Sequence, residues 1–430
     1  MSTPTFPIRA AAALFLERQQ LDRPRGRRLT AANLTRFAEE VCGIQLDSIN
    51  VVDRAHYLTL WSRFGAYDRR KLDRLCYRDR VLFEYWAHVA CLVPTTDFPA
   101  WRRAMLDYQM RHSGWSFLRK HRATLEHVEA LIRERGPLGS KDFLDEKPRK
   151  RSAGWWSWKP AAHAMDYLWK SGRLGVHSRV HFHRRLDLME RMLPHALEQP
   201  PPTSEEFRRW HVRRSLHAMG AATETDLRLY MTFPRVDVTE RRYHLREMVR
   251  SGEVAEVALE GDRARWFALA KDLPALAAAG RKRAPSRGAT LLAPFDSFLW
   301  HRERTRKLFG YDYRIEVYTP GHKRTFGYYA LPLFLDGHLI GKADTKNHRE
   351  EGRLEVRNVH FEPWVFSGKA PPAAAWRRIT LDDGIGGLAE SLRSLAEFLG
   401  LSRITVTSPT PAKLAAPLRR ALDAVAVESA

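Results

Sequence analysis

Lys170-Ser171-Gly172-Arg173-Leu174 and Arg250-Ser251-Gly252-Glu253-Val254 are one phrase written twice: a basic residue, Ser-Gly, a charged residue and an aliphatic one. A glycine at the end of a helically spaced run stops the helix, because it enters a left-handed turn without the strain a β-carbon would bring. In both places the residues that follow change period. After the first phrase come Val176, Arg179, Val180 and Phe182; after the second come Val257 and Leu259, the turn Glu260-Gly261-Asp262, and Trp266-Phe267. A glycine-capped helix running into a two-stranded hairpin is the second half of a winged helix-turn-helix. Helical signals precede each copy, Leu125 to Glu134 before the first and Phe207 to Met219 then Thr223 to Tyr230 before the second. Thr223-Glu224-Thr225-Asp226 also fits the capping pattern that opens a helix. The repetition predicts at least two winged-helix modules in tandem, with Pro200-Pro201-Pro202 as the linker between them.

Outward from this repeat, the chain toward its start reads as helices over Arg9 to Leu21 and Thr30 to Val41, then as an alternating segment Ile44-Gln45-Leu46-Asp47, then as mixed helix. Beyond the basic stretch Arg281 to Arg287, four β-branched or aromatic runs appear: Tyr313 to Thr319, Thr325 to Phe334, Leu339 to Lys346 and Arg353 to Phe361. Their spacing suggests a small antiparallel β-barrel, with Pro332 at an edge or bulge and the helical Leu388 to Leu399 packed against it. The expected class is α+β. Its organisation would be an N-terminal module over 1–123, a second module over 124–198, a third over 203–275, and a barrel with its tail over 288–430.

Composition narrows the partner. The 430 residues are 44% hydrophobic and 11% aromatic, which excludes disorder as the main state, and carry a formal net charge of +22. Such an excess attracts polyanions, nucleic acid first. Basic residues are spread over the chain instead of lining one amphipathic helix, so a membrane surface ranks below DNA. No run approaches the length of a membrane span, and Ala10 to Leu16 lacks the basic start of a signal peptide. Three widely spaced cysteines, Cys42, Cys76 and Cys91, form no CxxC pair, which favours an intracellular chain without a cysteine-based zinc site.

The chemistry rests on Ile44-Gln45-Leu46-Asp47. In an extended backbone Gln45 and Asp47 share one face and project together. An exposed carboxylate beside an amide repels the polymer that the rest of the chain attracts, unless it serves to stabilise a developing positive charge or to orient a water. Cleavage of an N-glycosidic bond calls for both, since the sugar becomes oxocarbenium-like as the base departs. The alternative is that Asp47 or Ser48 merely caps the following helix.

The string Gly43 to Val52, followed by Arg54-Ala55-His56-Tyr57-Leu58-Thr59-Leu60-Trp61-Ser62-Arg63, resembles the catalytic region of the YcaQ-type (AlkX) interstrand-crosslink DNA glycosylases, a winged-helix family marked by a Gln-apolar-Asp motif. The likeness continues through Glu84-Tyr85-Trp86-Ala87-His88, Gly154 to Pro160, Pro294-Phe295-Asp296, Tyr313 to Pro320 with Lys323-Arg324, and Gly327-Tyr328-Tyr329. The resemblance implies three winged-helix modules arranged around a β-barrel, and a monofunctional bacterial repair enzyme needing no cofactor or metal. Its substrate would be N7-alkylated guanine in duplex DNA, crosslinks and bulky adducts included, with an abasic site as product. It carries the family's catalytic pair onto Gln45 and Asp47, in an open site reached without full base flipping. Val89 departs from the acid that relatives commonly hold after Trp-Ala-His. The competing class is a non-catalytic winged-helix DNA-binding protein, a transcriptional regulator or an architectural protein.

For DNA contacts the sequence offers Arg54 and His56, just past the motif, and His322, Lys323 and Arg324 in a loop between two expected strands, as on a groove-probing hairpin. A packed role for His56 and a solvated basic hairpin are the plain alternatives. Lys147 to Arg151 reads as a solvated loop, Trp155, Trp156 and Trp158 as packing residues, and His177, His181 and His183 as lacking the cysteine or carboxylate a metal site needs. A cytoplasmic, nucleoid-associated monomer is expected, its tandem modules surrounding duplex DNA without dimerising.

Overall fold

Ser171 and Ser251 end their helices in the same way. In the computed structural model each hydroxyl donates back to a carbonyl three residues earlier, Leu168 at 3.0 Å and Met248 at 3.1 Å. Gly172 and Gly252 both take φ +75, and the next N–H closes onto the same carbonyl (Arg173 to Leu168, Glu253 to Met248, both 3.0 Å). The turn aims each chain into its hairpin, Leu174–Val180 with His183–Leu188 and Val254–Leu259 with Trp266–Leu269. The structure describes residues 3–143, 160–281, 288–367, 376–407 and 412–424. Lys147 to Arg151 and Trp155 to Trp158 lie outside them.

One element order occurs three times. The first unit runs helix Ala31–Glu40, strand Ile44–Gln45, helices Ala55–Phe64 and Arg69–Tyr77, hairpin Leu82–Trp86 with Ala90–Pro94. The second runs helix Arg122–Arg135, strand Leu138–Gly139, the short turn Ser140–Phe143, helix Pro160–Lys170 and its hairpin. Helix Ser204–Met219, strand Ala221–Ala222, helices Glu224–Tyr230 and Val238–Arg250 and a hairpin make the third. In every unit the short strand pairs with the hairpin's second strand, giving the same strand order. The 1–123 boundary needs correction. Thr5–Phe6 lies parallel on the edge of the third unit's sheet, and helix Ile8–Arg18 carries Phe15 onto Phe298, 5.1 Å between rings. The start of the chain therefore packs on the third unit and on the segment around Phe298, and its apolar face, Ala10 to Leu16, belongs to the large core they share.

Each hairpin tip is fastened to another part of the molecule. His88, on the first, stacks on Trp300 at 4.6 Å and meets the Tyr230 carbonyl at 2.9 Å. Phe182, on the second, lies against the start of helix Ala55–Phe64. Asp262, on the third, accepts from Lys307 at 2.8 Å.

The last portion is a five-stranded sheet in the order Ala289–Leu291, Ala330–Leu335, His338–His348, Arg353–Phe361, Arg403–Val406. It corrects the barrel expectation: among the described residues the sheet stays open, and its last pair is parallel. Helix Leu381–Leu399, started by a Thr380/Asp383 capping box, covers its apolar face. Pro332 sits in an interior strand next to a bulge at Leu333/Phe334. Tyr313 to Thr319 is not a strand either. Tyr311 and Tyr313 stack 6.2 Å apart and donate their hydroxyls to the Gly341 and Ala330 carbonyls, so their alternation reflects burial of a loop on the sheet.

Helix Ala55–Phe64 joins the two halves. Leu60 and Phe64 enter the first unit's core, while Ala55, Leu58 and Trp61 enter the core beneath the five-stranded sheet. The strand that carries the candidate chemistry is thereby held between them.

Candidate active site

Gln45 and Asp47 owe their placement to the two residues before the motif. Cys42 and Gly43 both adopt positive φ (+63 and +118). A β-carbon at Gly43 would lie 3.2 Å from the Leu92 carbonyl and 3.1 Å from Val93, so only glycine lets the motif strand run this close to Ala90–Pro94. Gln45 pairs with Cys91, and the Leu46 N–H donates to the Ala90 carbonyl at 2.9 Å. Ile44 and Leu46 enter the core.

The alternation is present, but the pair is not exposed: Gln45 is buried at 8% relative exposure and Asp47 is half-buried. Around the pair the first unit meets its neighbours: Tyr329, from the chain entering strand Ala330–Leu335, lies near Asp47, and Phe182 of the second unit's hairpin packs on Arg54 and His56 just past the motif. The capping alternative also meets a different arrangement. Asp47 Oδ1 accepts the Ile49 N–H at 2.8 Å in a local turn, and the next helix begins only at Ala55. Among the described residues the second oxygen of Asp47 and the Gln45 carboxamide take no hydrogen-bond partner. Burial raises the Asp47 pKa above the usual carboxylate value, while the Ile49 N–H and the Arg54 charge pull it back.

The segment between motif and helix is bolted to the sheet. Asn347 donates its backbone N–H to the Val51 carbonyl (3.0 Å) and its carboxamide to that of Val52 (3.1 Å), and Arg349 donates to the Asn50 side chain at 2.7 Å. Asp53 accepts the Arg54 N–H and pairs with Arg69 at 3.2 Å. Behind the motif stands Tyr329. Its hydroxyl is fully buried and takes no hydrogen-bond partner among the described residues, and burial together with Tyr313 and the Asp47 and Asp53 carboxylates raises its pKa well above the ordinary phenol value.

Arg54 is half-buried, donating to the Ser48 carbonyl at 2.9 Å with its guanidinium 3.7 Å from the centre of the Phe182 ring. His56 requires a correction: at 4% exposure, against Tyr57 (4.0 Å) and Phe182 (6.2 Å), it does not reach the surface as a phosphate ligand. Burial, with Arg179 and Arg54 nearby, lowers its pKa to about 3, so it is neutral. His322 and Lys323 are exposed, whereas Arg324 is half-buried, donates to the Thr319 carbonyl at 2.8 Å and stacks over Tyr328. Their loop is not a strand hairpin. It closes around Glu316, whose carboxylate accepts the N–H groups of Thr325, Phe326 and Gly327 (3.0, 2.8 and 3.0 Å). Tyr318, 89% exposed, stands at its edge, and the chain leaving the loop runs directly into Tyr329 beside Asp47.

Sequence reasoning missed Phe182, Tyr329 and Gly43. Gly43 could have been found from its place before an alternating strand; Phe182 left no signal beyond its hairpin, since its partner Arg54 lies 128 positions earlier in the chain.

A family model described as DNA glycosylase AlkZ-like matches residues 38–398. Among solved structures the chain is similar to the Streptomyces sahachiroi DNA glycosylase AlkZ, with TM-score 0.58 and 19% identity over 94% of this chain and 99% of that one. At that identity the structural likeness is one of fold.

Proposed function

The chain belongs to the AlkZ-like DNA glycosylase family, and from that premise we propose that it hydrolyses the N-glycosidic bond of N7-alkylated guanine in duplex DNA, interstrand crosslinks and bulky adducts included, and leaves an abasic site. The observation that carries this reading is Asp47: a half-buried carboxylate with one oxygen uncommitted, in a protein of net charge +22. An N7-alkylated purine is already cationic and departs without prior protonation, so no general acid is needed. Asp47 stabilises the sugar cation that develops and orients the attacking water, and the Gln45 carboxamide hydrogen-bonds the lesion nucleotide or its sugar. No lysine occurs from Gly43 to Arg63, so the motif segment itself supplies no Schiff-base nucleophile, and the reading is of a monofunctional enzyme.

The three units of like strand order support a reading as tandem winged helices holding duplex DNA as a monomer, with His322, Lys323 and Arg324 presented to it and Arg54 beside the motif. Their hairpin tips are engaged within the protein, so helices and the Glu316 loop would meet the phosphates. No helix of the described residues is long and apolar enough to cross a membrane. With DNA as its substrate, the proposed enzyme would work in the cytoplasm at the nucleoid.

The test incubates the purified protein with duplex bearing one N7-methylguanine or one N7-guanine crosslink, then treats with alkali. The expected result is a strand break at the lesion with wild type and none above the no-enzyme control with Asp47→Asn. Equal base release by the two proteins would overturn the assignment, and no release by either would return the chain to a DNA-binding role for these lesions.

A further inference from the structure

The tip of the second unit's hairpin does something that neither the motif nor the family assignment requires. His181 and Phe182 both take positive φ (+48 and +68), a conformation unusual for side chains with a β-carbon, and it turns the Phe182 ring onto the first unit. The ring lies between two guanidinium groups, Arg54 at 3.7 Å and Arg179 at 4.2 Å. Two cations on one ring would repel each other unless one were neutralised. Arg179 is: it holds Glu84, 1% exposed, through two hydrogen bonds of 2.7 Å. The face presented to Arg54 is therefore an aromatic surface behind which the charge is balanced, and Arg54 stacks on it while donating to the Ser48 carbonyl at 2.9 Å. Ser48 follows Asp47.

We propose that Phe182 is a positioning residue of the glycosylase reaction: its ring clamps Arg54 against the Asp47–Ser48 turn and so fixes the carboxylate that faces the substrate. The inference rests on the catalytic reading of Asp47 above. It assigns a share of catalysis to the second unit, which contributes no residue to the motif. Two features of the clamp make it specific. Arg54 is half-buried by the ring it stacks on, so without an aromatic face the guanidinium would be drawn into water. The Ser48 carbonyl would then lose its donor, and the turn that sets the direction of Asp47 would loosen.

Single-turnover base release from N7-methylguanine duplex, measured against enzyme concentration, separates positioning from binding. Phe182→Ala is expected to lower the saturating rate by about tenfold, a barrier change of about 1.4 kcal/mol, while the half-saturating concentration moves less than about twofold. Phe182→Tyr and Phe182→Trp keep an aromatic face and are expected to retain the rate within about threefold. Phe182→Leu, which fills space without a π face, is expected to behave as Phe182→Ala. A wild-type rate in Phe182→Ala would overturn the proposal, as would a Leu variant as active as the Tyr variant, since volume alone would then suffice. If Phe182→Ala does not fold, the Leu and Tyr pair decides the matter. Asp47→Asn run beside them keeps the two readings apart: an active Asp47→Asn removes both, whereas an inactive Asp47→Asn with a wild-type Phe182→Ala removes only the clamp.

Discussion

Asp296 accepts from both terminal nitrogens of Arg63 and from the Phe298 N–H, with neither side chain of the pair exposed, whereas Asp47 accepts one backbone N–H and leaves its second oxygen open. Arg63 is equally occupied, giving its Nε to the Gln19 carbonyl and sharing a nitrogen with Ser62. The first carboxylate joins the first unit to the segment that follows strand Ala289–Leu291 of the five-stranded sheet. The second makes no such joint among the described residues. Within one molecule, a carboxylate whose acceptor sites are all used works as a joint, and one whose sites are kept empty is available for chemistry.

The contrast breaks most visibly at the joint. Asp296→Asn leaves a fully buried guanidinium without its counter-charge, and removal of one partner from such a pair costs about 3 to 5 kcal/mol. Chemical denaturation should show that loss, and a change below about 1 kcal/mol would place Asp296 with Asp47 as dispensable to the fold. The mirror experiment is Asp47→Asn. Its rate of base release should fall ~10² to 10³-fold, the cost of losing one electrostatic stabiliser, while its stability stays within about 0.5 kcal/mol of wild type. A variant that loses rate and stability together would make Asp47 a structural acid.

pH separates the two regions next. Burial raises the Asp47 pKa, and the active form is the carboxylate. Single-turnover release should therefore decline on the acid side at a higher pH than an unperturbed aspartate would give. Stability follows other groups. Burial, aided by neighbouring arginines, lowers the pKa of His56, His211 and His217 to about 3. Below about 6.5 the unfolded chain takes up protons that the folded one refuses, so stability is lost progressively as pH falls from about 6.5 toward 3. Melting temperatures and release rates recorded over the same pH series should have different profiles. Superimposable curves would mean that the rate reports unfolding.

The two regions were unequally legible in the sequence. Ser-Gly twice marked the second and third units because glycine at φ +75 is chemically conspicuous. The first unit makes the corresponding turn with Arg80 at φ +53, after which the Val81 N–H returns to the Leu75 carbonyl, and an arginine announces no turn. The repeat was therefore visible in two copies and the third came only by resemblance. The motif's period of two survived, with Ile44 and Leu46 inward, yet its exposure did not: Gln45 is buried and Asp47 half-buried, with Tyr329, some 280 positions on, standing near the carboxylate. The run Tyr313 to Thr319 misled in the other direction: Tyr313, Ile315 and Val317, covered to differing degrees along a loop, repeat with the period of a strand. Arg63 and Asp296 both fall in strings that carry the family resemblance, but nothing in the sequence pairs them, since they stand 233 positions apart.

The smallest effect tests whether the available groups include the Glu316 loop. Arg324 is already engaged, by the Thr319 carbonyl and the Tyr328 ring, and its removal would disturb the loop as well as any phosphate contact. Lys323 is exposed on the short turn Gly321–Lys323, so truncating it deletes charge and little else. If it meets one phosphate, Lys323→Ala should flatten the slope of log affinity against log salt by about 0.9, the release of one counterion's worth of charge from duplex DNA. At low salt its affinity should fall modestly, and toward high salt it should approach that of wild type. The saturating rate of base release should not move, because the ammonium lies outside the Asp47 turn and its clamp. An unchanged salt slope would leave Lys323 a solvated cation, and would shift the search for the remaining phosphate contacts to the helices Arg69–Tyr77 and Val238–Arg250, which present Arg70 and Arg74 and Arg242, Arg246 and Arg250 at the surface.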